Sequence, residues 1–267
     1  MSSSVTPKLK INTPVAAKLG VNLRHKLIIG LSLLVMTVLP VILSRMLFID
    51  LSLRLDEAQS LFQTSHSLPR MLQLVAQDVH VPLYHLLLRG WQLAFGSGVE
   101  AIRYLSLVLF MAIIPLVYVL ARHIFGWKQS LLAAGLVAIS PFMNWYGNEA
   151  RMYTLLALMT LINQIFFLRI IQRKAGAWWG YLFSAIVGIY SHYFFGFVLL
   201  TQAVFYLFRR KDFARGALLR FIGVALAVIA AISPWAYYVY SLGSASRTRP
   251  MLIHPTSVDL FNTFSQF

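Results

Sequence analysis

Long uncharged apolar runs constrain the fold of this chain more than any other feature. They cover residues 27–44, 104–121, 129–148, 152–168, 175–208 and 221–246. Most have close to the roughly 20 residues that an α-helix needs to cross a hydrocarbon core of about 30 Å. Because 59% of all residues are apolar and only 12% are charged, both an ordinary soluble domain and a disordered chain are excluded.

The run 175–208 is too long for a single crossing. As one helix it would extend about 51 Å, since each residue adds about 1.5 Å. Two spans that turn near Ser191 and His192 fit the core thickness better. The sequence therefore predicts an all-α polytopic membrane protein with about seven transmembrane helices, contained in residues 27–246.

The basic residues fall mostly on one side of these predicted spans. With the N-terminus inside, fifteen of the 23 Lys and Arg residues lie inside, together with one acid, Asp212. This bias is typical of cytoplasmic loops, and it explains the net charge of +15 without a nucleic-acid partner. We expect a multi-pass protein of the cell (inner) membrane, with a cytoplasmic tail over 1–26 and an outer segment over 247–267.

An outer loop over residues 50–103 separates the first two predicted spans. Within it, residues 80–96 are apolar but contain Pro82 and Arg89. The segment is too short and too charged to cross, and a crossing here would reverse the charge bias downstream. Interfacial helices in this loop are the better prediction.

Acidic residues are scarce, and most are placed at the ends of spans or in this outer loop. Asp56 and Glu57 follow the first span closely, so at least one carboxylate would lie near the membrane surface. There it could take a proton from an acceptor hydroxyl or amine. The same pair would also complement the dipole of a helix that starts at this point, and both interpretations stay open.

A second group of polar residues comprises Asp78, His80, Tyr84 and His85. Their spacing could supply ligands for a divalent metal, or a hydrogen-bonding platform for a phosphate or a sugar. Alternatively, Asp78 caps a helix whose first turn contains Pro82. The spacing alone favours the cap, so the sequence indicates no certain cofactor and leaves a divalent metal open.

Two further outer turns carry polar groups. Between the third and fourth spans, Glu149 and Arg151 could form an ion pair that holds the turn, or present a guanidinium to a phosphate. In the turn of the run 175–208, His192 is either a structural residue or a ligand-binding one. The sequence contains no cysteine, no glycine-rich phosphate loop, no HExxH and no GxSxG, so nucleotide hydrolysis and soluble hydrolase chemistry have no support.

Taken together, these segments resemble bacterial membrane glycosyltransferases. The family includes the relatives of dolichyl-phosphate-mannose protein mannosyltransferases and of aminoarabinose transferases, which share the GT-C fold. The resemblance covers about residues 45–267 and rests on four segments in the family's order: 55–60 (LDEAQS), 78–89 (DVHVPLYHLLLR), 140–142 (SPF) and 149–153 (EARMY).

The resemblance implies a sugar donor linked to a polyprenyl phosphate, and an inverting transfer to a lipid, glycan or protein acceptor on the outer face. By analogy Asp56 is the catalytic base and Glu57 accompanies it. Donor-phosphate or substrate contacts would come from Asp78, His80, Tyr84, Glu149, Arg151 and His192.

Two departures from the family pattern stand out. Val81 precedes Pro82 where the family more often has two prolines. Members are also commonly longer, with further spans and often a soluble outer domain, so we expect this chain to correspond to the N-terminal part of such a transferase. The alternative class is a transporter of lipid-linked sugars or a scaffold. Ion-coupled transport would favour charged residues at mid-span positions, and the predicted spans carry none there.

Overall fold

The computed structural model describes residues 23–48, 51–78 and 80–242, and within these ranges the chain forms eleven α-helices and no β-strand. The bounds are α1 (Leu23–Leu47), α2 (Leu55–Thr64), α3 (Leu68–Gln77), α4 (Leu83–Phe95), α5 (Val99–Arg122), α6 (Trp127–Ala138), α7 (Pro141–Gly147), α8 (Tyr153–Ile171), α9 (Ala177–Ser191), α10 (Phe195–Arg209) and α11 (Ala217–Ser241). The all-α prediction is confirmed for these residues. Residues 1–22 of the predicted tail and the predicted segment 247–267 lie outside them.

Four helices, α1, α5, α8 and α11, are long and apolar enough to cross a membrane. They coincide with the predicted runs 27–44, 104–121 and 152–168, and with most of 221–246. The other predicted crossings fall on shorter helices. Helices α9 and α10 have 15 residues each, about 22 Å, so the count of seven spans stays a prediction.

The run 129–148, predicted as one crossing, is divided into α6 and α7. Ser140 has an extended backbone at the break, and its hydroxyl accepts a hydrogen bond from the Met143 N–H at 3.3 Å. Pro141 then occupies the first turn of α7. Proline disfavours a helical conformation at the residue before it, while Ser before the helix and Pro inside its first turn favour a new start. A single unbroken helix was therefore the wrong expectation here.

Helices α9 and α10 turn at His192, as the length of the apolar run predicts. Close packing across this turn depends on Gly188. A Cβ atom added there would lie 2.4 Å from a ring carbon of Phe195, so only glycine allows the approach.

A buried polar network joins α8, α9 and α10 in the middle of the bundle. The Asn163 amide donates to Ser184 Oγ at 2.9 Å, and the Gln202 amide donates to Asn163 Oδ1 at 2.9 Å. Tyr181 donates its hydroxyl hydrogen to Gln202 Oε1 at 2.8 Å. Side-chain hydrogen bonds of this kind hold membrane helices together where no water is present to compete.

The first-loop helices α2, α3 and α4 pack over the N-terminal ends of α5 and α8. Tyr84 and Leu88 of α4 are fully buried against Ile102 of α5 and Met152 at the start of α8. On the other side, α3 packs against Trp235 of α11. This arrangement brings the loop helices and the 148–152 turn to the same end of the long helices.

Candidate active site

The structure brings six of the eight predicted site residues into one cluster at this end of the helices. Asp56 and Glu57 lie in the first turn of α2, and Asp78 and His80 follow α3. Glu149 and Arg151 lie in the turn between α7 and α8. His192 is beside the cluster, beyond the ring of Tyr153, and Tyr84 is buried beneath it.

An ion pair between Glu57 and Arg103 is the structural centre of the cluster. Arg103 Nε donates to Glu57 Oε1 at 2.9 Å and Nη2 donates to Oε2 at 2.7 Å. Each carboxylate oxygen accepts a second hydrogen bond, from the backbone N–H of Ala150 at 3.0 Å and of Arg54 at 3.1 Å. The guanidinium also donates to the carbonyl groups of Leu51 and Ser52.

This pair ties the loop before α2 and the turn before α8 to α5. Glu57 is 0% exposed, and burial by itself would raise its pKa. The hydrogen bonds from Arg103, Ala150 and Arg54 outweigh that effect and hold the pKa of Glu57 below its usual value. Arg103 was not among the predicted site residues. The signal that could have found it is an arginine directly before the apolar run 104–121, where an unpaired charge would be costly.

Arg151 is a buried cation of the cluster, and its contacts are longer than those of Arg103. Its Nη1 group lies 3.4 Å from the Asp56 carbonyl and 3.3 Å from Ser60 Oγ, and Nη2 lies 3.2 Å from His80 Nε2. Its Nε–H group is buried and has no hydrogen-bond partner within the described residues. Long contacts and an unused donor leave Arg151 able to bind a further acceptor.

His80 links Arg151 to Asp78. Its Nδ1 lies 2.7 Å from the Asp78 carbonyl oxygen and 3.1 Å from the Asp78 carboxylate. Because Arg151 can only donate, His80 Nε2 accepts and Nδ1 carries the proton that is donated to Asp78. The Trp235 indole N–H donates to the His80 carbonyl at 3.1 Å and fixes this segment against α11.

Asp78 does not cap the following helix, so the favoured capping interpretation was wrong. It ends α3, and Pro82 precedes α4 without any side-chain cap. The carboxylate instead accepts a hydrogen bond from the Gln63 amide at 3.1 Å. Burial tends to raise the pKa of Asp78, but the hydrogen bonds from His80 and Gln63 lower it overall.

Glu149 forms its ion pair with Arg54, at 3.3 Å, and not with Arg151. An ion pair inside the turn was therefore the wrong alternative. Burial raises the pKa of Glu149, with Arg54 opposing and Glu57 adding to the shift. Arg54 also lies over the Trp145 ring, 3.5 Å from its centroid, which holds the guanidinium in place.

Asp56 differs from the other carboxylates of the cluster. Its side chain is exposed, and within the described residues it has no hydrogen bond or ion pair. Its backbone carbonyl is the group that faces Arg151. The carboxylate is therefore exposed at the edge of the cluster, without a side-chain partner among the described residues.

His192 lies beside Tyr153, with 6.4 Å between the ring centroids. Its Nδ1 accepts the Phe194 backbone N–H at 3.0 Å, so in the neutral ring Nε2 carries the hydrogen. Burial lowers the pKa of His192, and the positive charge of Arg151 adds to this shift. The lowered pKa favours the neutral imidazole, whose Nε2–H group can donate a hydrogen bond.

Tyr84 and His85 are buried below the cluster. Tyr84 is 0% exposed, and its hydroxyl lies 2.9 Å from Ser106 Oγ. Burial lowers the pKa of His85 to about 3, so its ring is neutral at pH 7. Among the residues that the structure describes, no group of three or more His, Asp or Glu side chains is arranged to hold a metal ion, and the metal alternative finds no ligand set there.

An apolar cavity of about 520 Å³ opens beside the cluster, between α5, α6, α7 and α8. Tyr146 and Tyr153 line it near Arg151, and Ile113, Val117 and Leu161 line it further along the helices. None of the six cluster residues lines the cavity, although Tyr153 follows Arg151 closely in the chain. The largely apolar lining is of the kind that suits a hydrocarbon chain.

Comparison with known proteins yields one match. The family described as dolichyl-phosphate-mannose-protein mannosyltransferase matches residues 79–238. No curated protein and no solved structure matches the chain. The matched range ends in α11 and includes His80, Arg151 and His192, but Asp56, Glu57 and Asp78 precede it. Together with the apolar helices it indicates a multi-pass membrane protein with glycosyltransferase activity. The chain belongs to the dolichyl-phosphate-mannose-protein mannosyltransferase family.

Proposed function

We propose that the chain transfers a sugar from a polyprenyl-phosphate-linked donor to a lipid, glycan or protein acceptor at the outer face of the inner membrane. The observation that carries this proposal is the contrast between Asp56 and its neighbours. Glu57 and Asp78 are held by hydrogen bonds that lower their pKa, and Glu149 pairs with Arg54. Asp56 alone among these four carboxylates is exposed and unpaired.

In the proposed reaction Asp56 is the general base. It accepts the proton of the acceptor hydroxyl or amine as the oxygen or nitrogen attacks the anomeric carbon of the sugar. The bond between that carbon and the phosphate oxygen breaks, and the polyprenyl phosphate leaves with the electron pair. A single displacement of this kind inverts the anomeric configuration.

Arg151 is proposed to hold the phosphate and to stabilise the negative charge that grows as this group leaves. Its free Nε–H group and its long contacts allow it to reorient toward a phosphate oxygen. The neutral His192 ring supplies a second donor through Nε2. Hydrogen bonds from a charged donor are stronger than those between neutral groups and suit the stabilisation of such a charge.

The other predicted residues are proposed to act through these groups. The Glu57–Arg103 pair positions Asp56 relative to the turn that carries Arg151. Asp78 orients His80, which contacts Arg151, and Tyr84 supports the same turn through Ser106, whose hydroxyl donates to the Arg151 carbonyl at 3.3 Å. The apolar cavity beside Tyr153 is proposed to receive the first isoprene units of the donor.

The test is an Asp56→Asn variant assayed with a panel of polyprenyl-phosphate sugars. Loss of a general base typically lowers the rate by about 10²–10⁴, while donor binding should be unchanged. Asp212→Asn is the matched control, because Asp212 pairs with Arg209 at the other end of the helices. Activity of Asp56→Asn within about threefold of the parent would reassign the base. Donor binding by the parent without any transfer would favour the transporter or scaffold alternative.

A further inference from the structure

Four basic side chains surround one pocket at the end of the helices opposite the candidate active site. The pocket has a volume of about 240 Å³. Arg173 and Lys174 reach it from the α8–α9 loop, and Arg215 and Arg220 from the end of the α10–α11 loop and the first turn of α11. Two separate loops thus direct their cations to the same space.

These four charges are not neutralised by the described part of the chain. Asp212, the acid nearest in sequence, pairs with Arg209 at 2.8 Å. No side-chain hydrogen bond or ion pair involves any of the four within residues 23–48, 51–78 and 80–242, and only Arg220 has an aromatic contact, with its guanidinium 5.7 Å from the Trp178 ring centroid. Like charges around one pocket repel each other, so an anion bound there relieves the repulsion.

The local backbone places these side chains. The N–H groups of Arg173 and Lys174 donate to the carbonyls of Ile170 and Arg169, both at 2.9 Å, in the pattern that ends a helix with a left-handed residue. Arg173 has φ +56° at the position where glycine is usual. The first turns of α9 and α11, which begin beside the same pocket, add to its positive potential.

The position of the pocket indicates where its ligand comes from. Helix α8 runs from the turn of Arg151 to this pocket in 19 residues, about 28 Å, which is close to the thickness of a hydrocarbon core. When the polar cluster is at one membrane surface, the pocket is therefore level with the headgroups of the other leaflet. Trp178 at its edge is typical of that depth.

We propose that this pocket binds a phosphate group, carried by the headgroup of an anionic membrane lipid in the leaflet opposite the active site. The proposal stands on the pocket and its charges and does not depend on the proposed transfer reaction. Each Lys or Arg at a membrane surface strengthens the attraction to anionic lipid about fivefold. Removal of all four charges should therefore weaken binding by about 10²-fold or more.

The test measures binding of phosphatidylglycerol to the full chain in non-ionic detergent by native mass spectrometry and by thermal-shift titration. Phosphatidylcholine and inorganic phosphate serve as the neutral-lipid and soluble-anion probes. The pocket variant changes four residues to Gln: Arg173, Lys174, Arg215 and Arg220. The control variant removes the same number of positive charges at the same end of the helices but outside the pocket. It replaces four other residues with Gln: Arg122, Lys128, Arg210 and Lys211.

Phosphatidylglycerol should bind the parent and the control variant within about threefold of each other, and the pocket variant about 10²-fold more weakly. Circular dichroism checks that helix content is kept, and an Arg215→Gln/Arg220→Gln double variant replaces the quadruple one if folding is lost. Equal weakening in both quadruple variants would overturn the proposal in favour of general surface attraction. Binding of inorganic phosphate as strong as that of the lipid would overturn the lipid assignment.

Discussion

Replacement of Arg103 by Gln should destabilise the fold strongly. Arg103 donates to both oxygens of Glu57 and to the carbonyls of Leu51 and Ser52. Its side chain is 7% exposed and that of Glu57 is 0% exposed. The shorter, neutral Gln leaves a buried carboxylate without a counter-charge, and loss of one partner of a buried pair costs about 3–5 kcal/mol. At about 2–4 °C per kcal/mol, the unfolding temperature should fall by about 6–20 °C.

The loss of stability in Arg103→Gln should also depend on pH, because the folded-state pKa of Glu57 is lowered. In the parent the stabilisation from Glu57 is complete above its unfolded pKa, and it is lost as the pH falls through the folded pKa. In Arg103→Gln the uncompensated carboxylate instead gains stability when it is protonated. The difference in unfolding temperature between parent and variant should therefore shrink as the pH is lowered from 7 toward 4.

Thermal unfolding in detergent, followed by tryptophan fluorescence, measures both effects. Arg45→Gln is the matched control, because the Arg45–Glu100 pair is similar in length at 2.6 Å but about half exposed, and its removal should change the unfolding temperature little. The double variant Glu57→Gln/Arg103→Gln should be more stable than Arg103→Gln alone. Equal unfolding temperatures for the Arg103 and Arg45 variants would refute the reasoning.

Three further predictions test the site and the packing. Arg151→Lys keeps the positive charge but loses the planar guanidinium group, so the KM for the lipid-linked donor should rise about tenfold in steady-state kinetics. An unchanged KM would show that Arg151 does not bind the phosphate. Gly188→Ala places a methyl group 2.4 Å from the Phe195 ring and should lower the free energy of unfolding by about 1–3 kcal/mol. The control Gly223→Ala adds its methyl group in open space and should not lower it. Glu149 has a raised pKa, so its ionisation destabilises the fold as the pH rises through that pKa. Glu149→Gln should therefore flatten this part of the plot of unfolding free energy against pH. An unaltered plot would contradict the raised pKa of Glu149.

The polar residues of the site were predictable because charges are rare in an apolar chain. Asp56, Glu57, Glu149 and Arg151 stand out at the ends of apolar runs, and the resemblance to the glycosyltransferases joins them into one site. Their partners were not predictable. Glu149 could pair with Arg151 two residues away, yet its partner is Arg54, because a pairing across the chain depends on how α2 meets the α7–α8 turn.

The long helices follow from the sequence alone, since an uncharged apolar run of about 20 residues in a membrane must satisfy its backbone groups internally. The break before Pro141 also has a local cause, although the run 129–148 conceals it. The tertiary structure decided what the local pattern leaves open: that Asp78 turns to His80 and Gln63, that Arg103 neutralises Glu57, and that Asp56 stays exposed. Hydrophobic runs determine where helices form, but the pairing of a few buried charges depends on contacts between segments distant in sequence, and these exist only once the helices have packed.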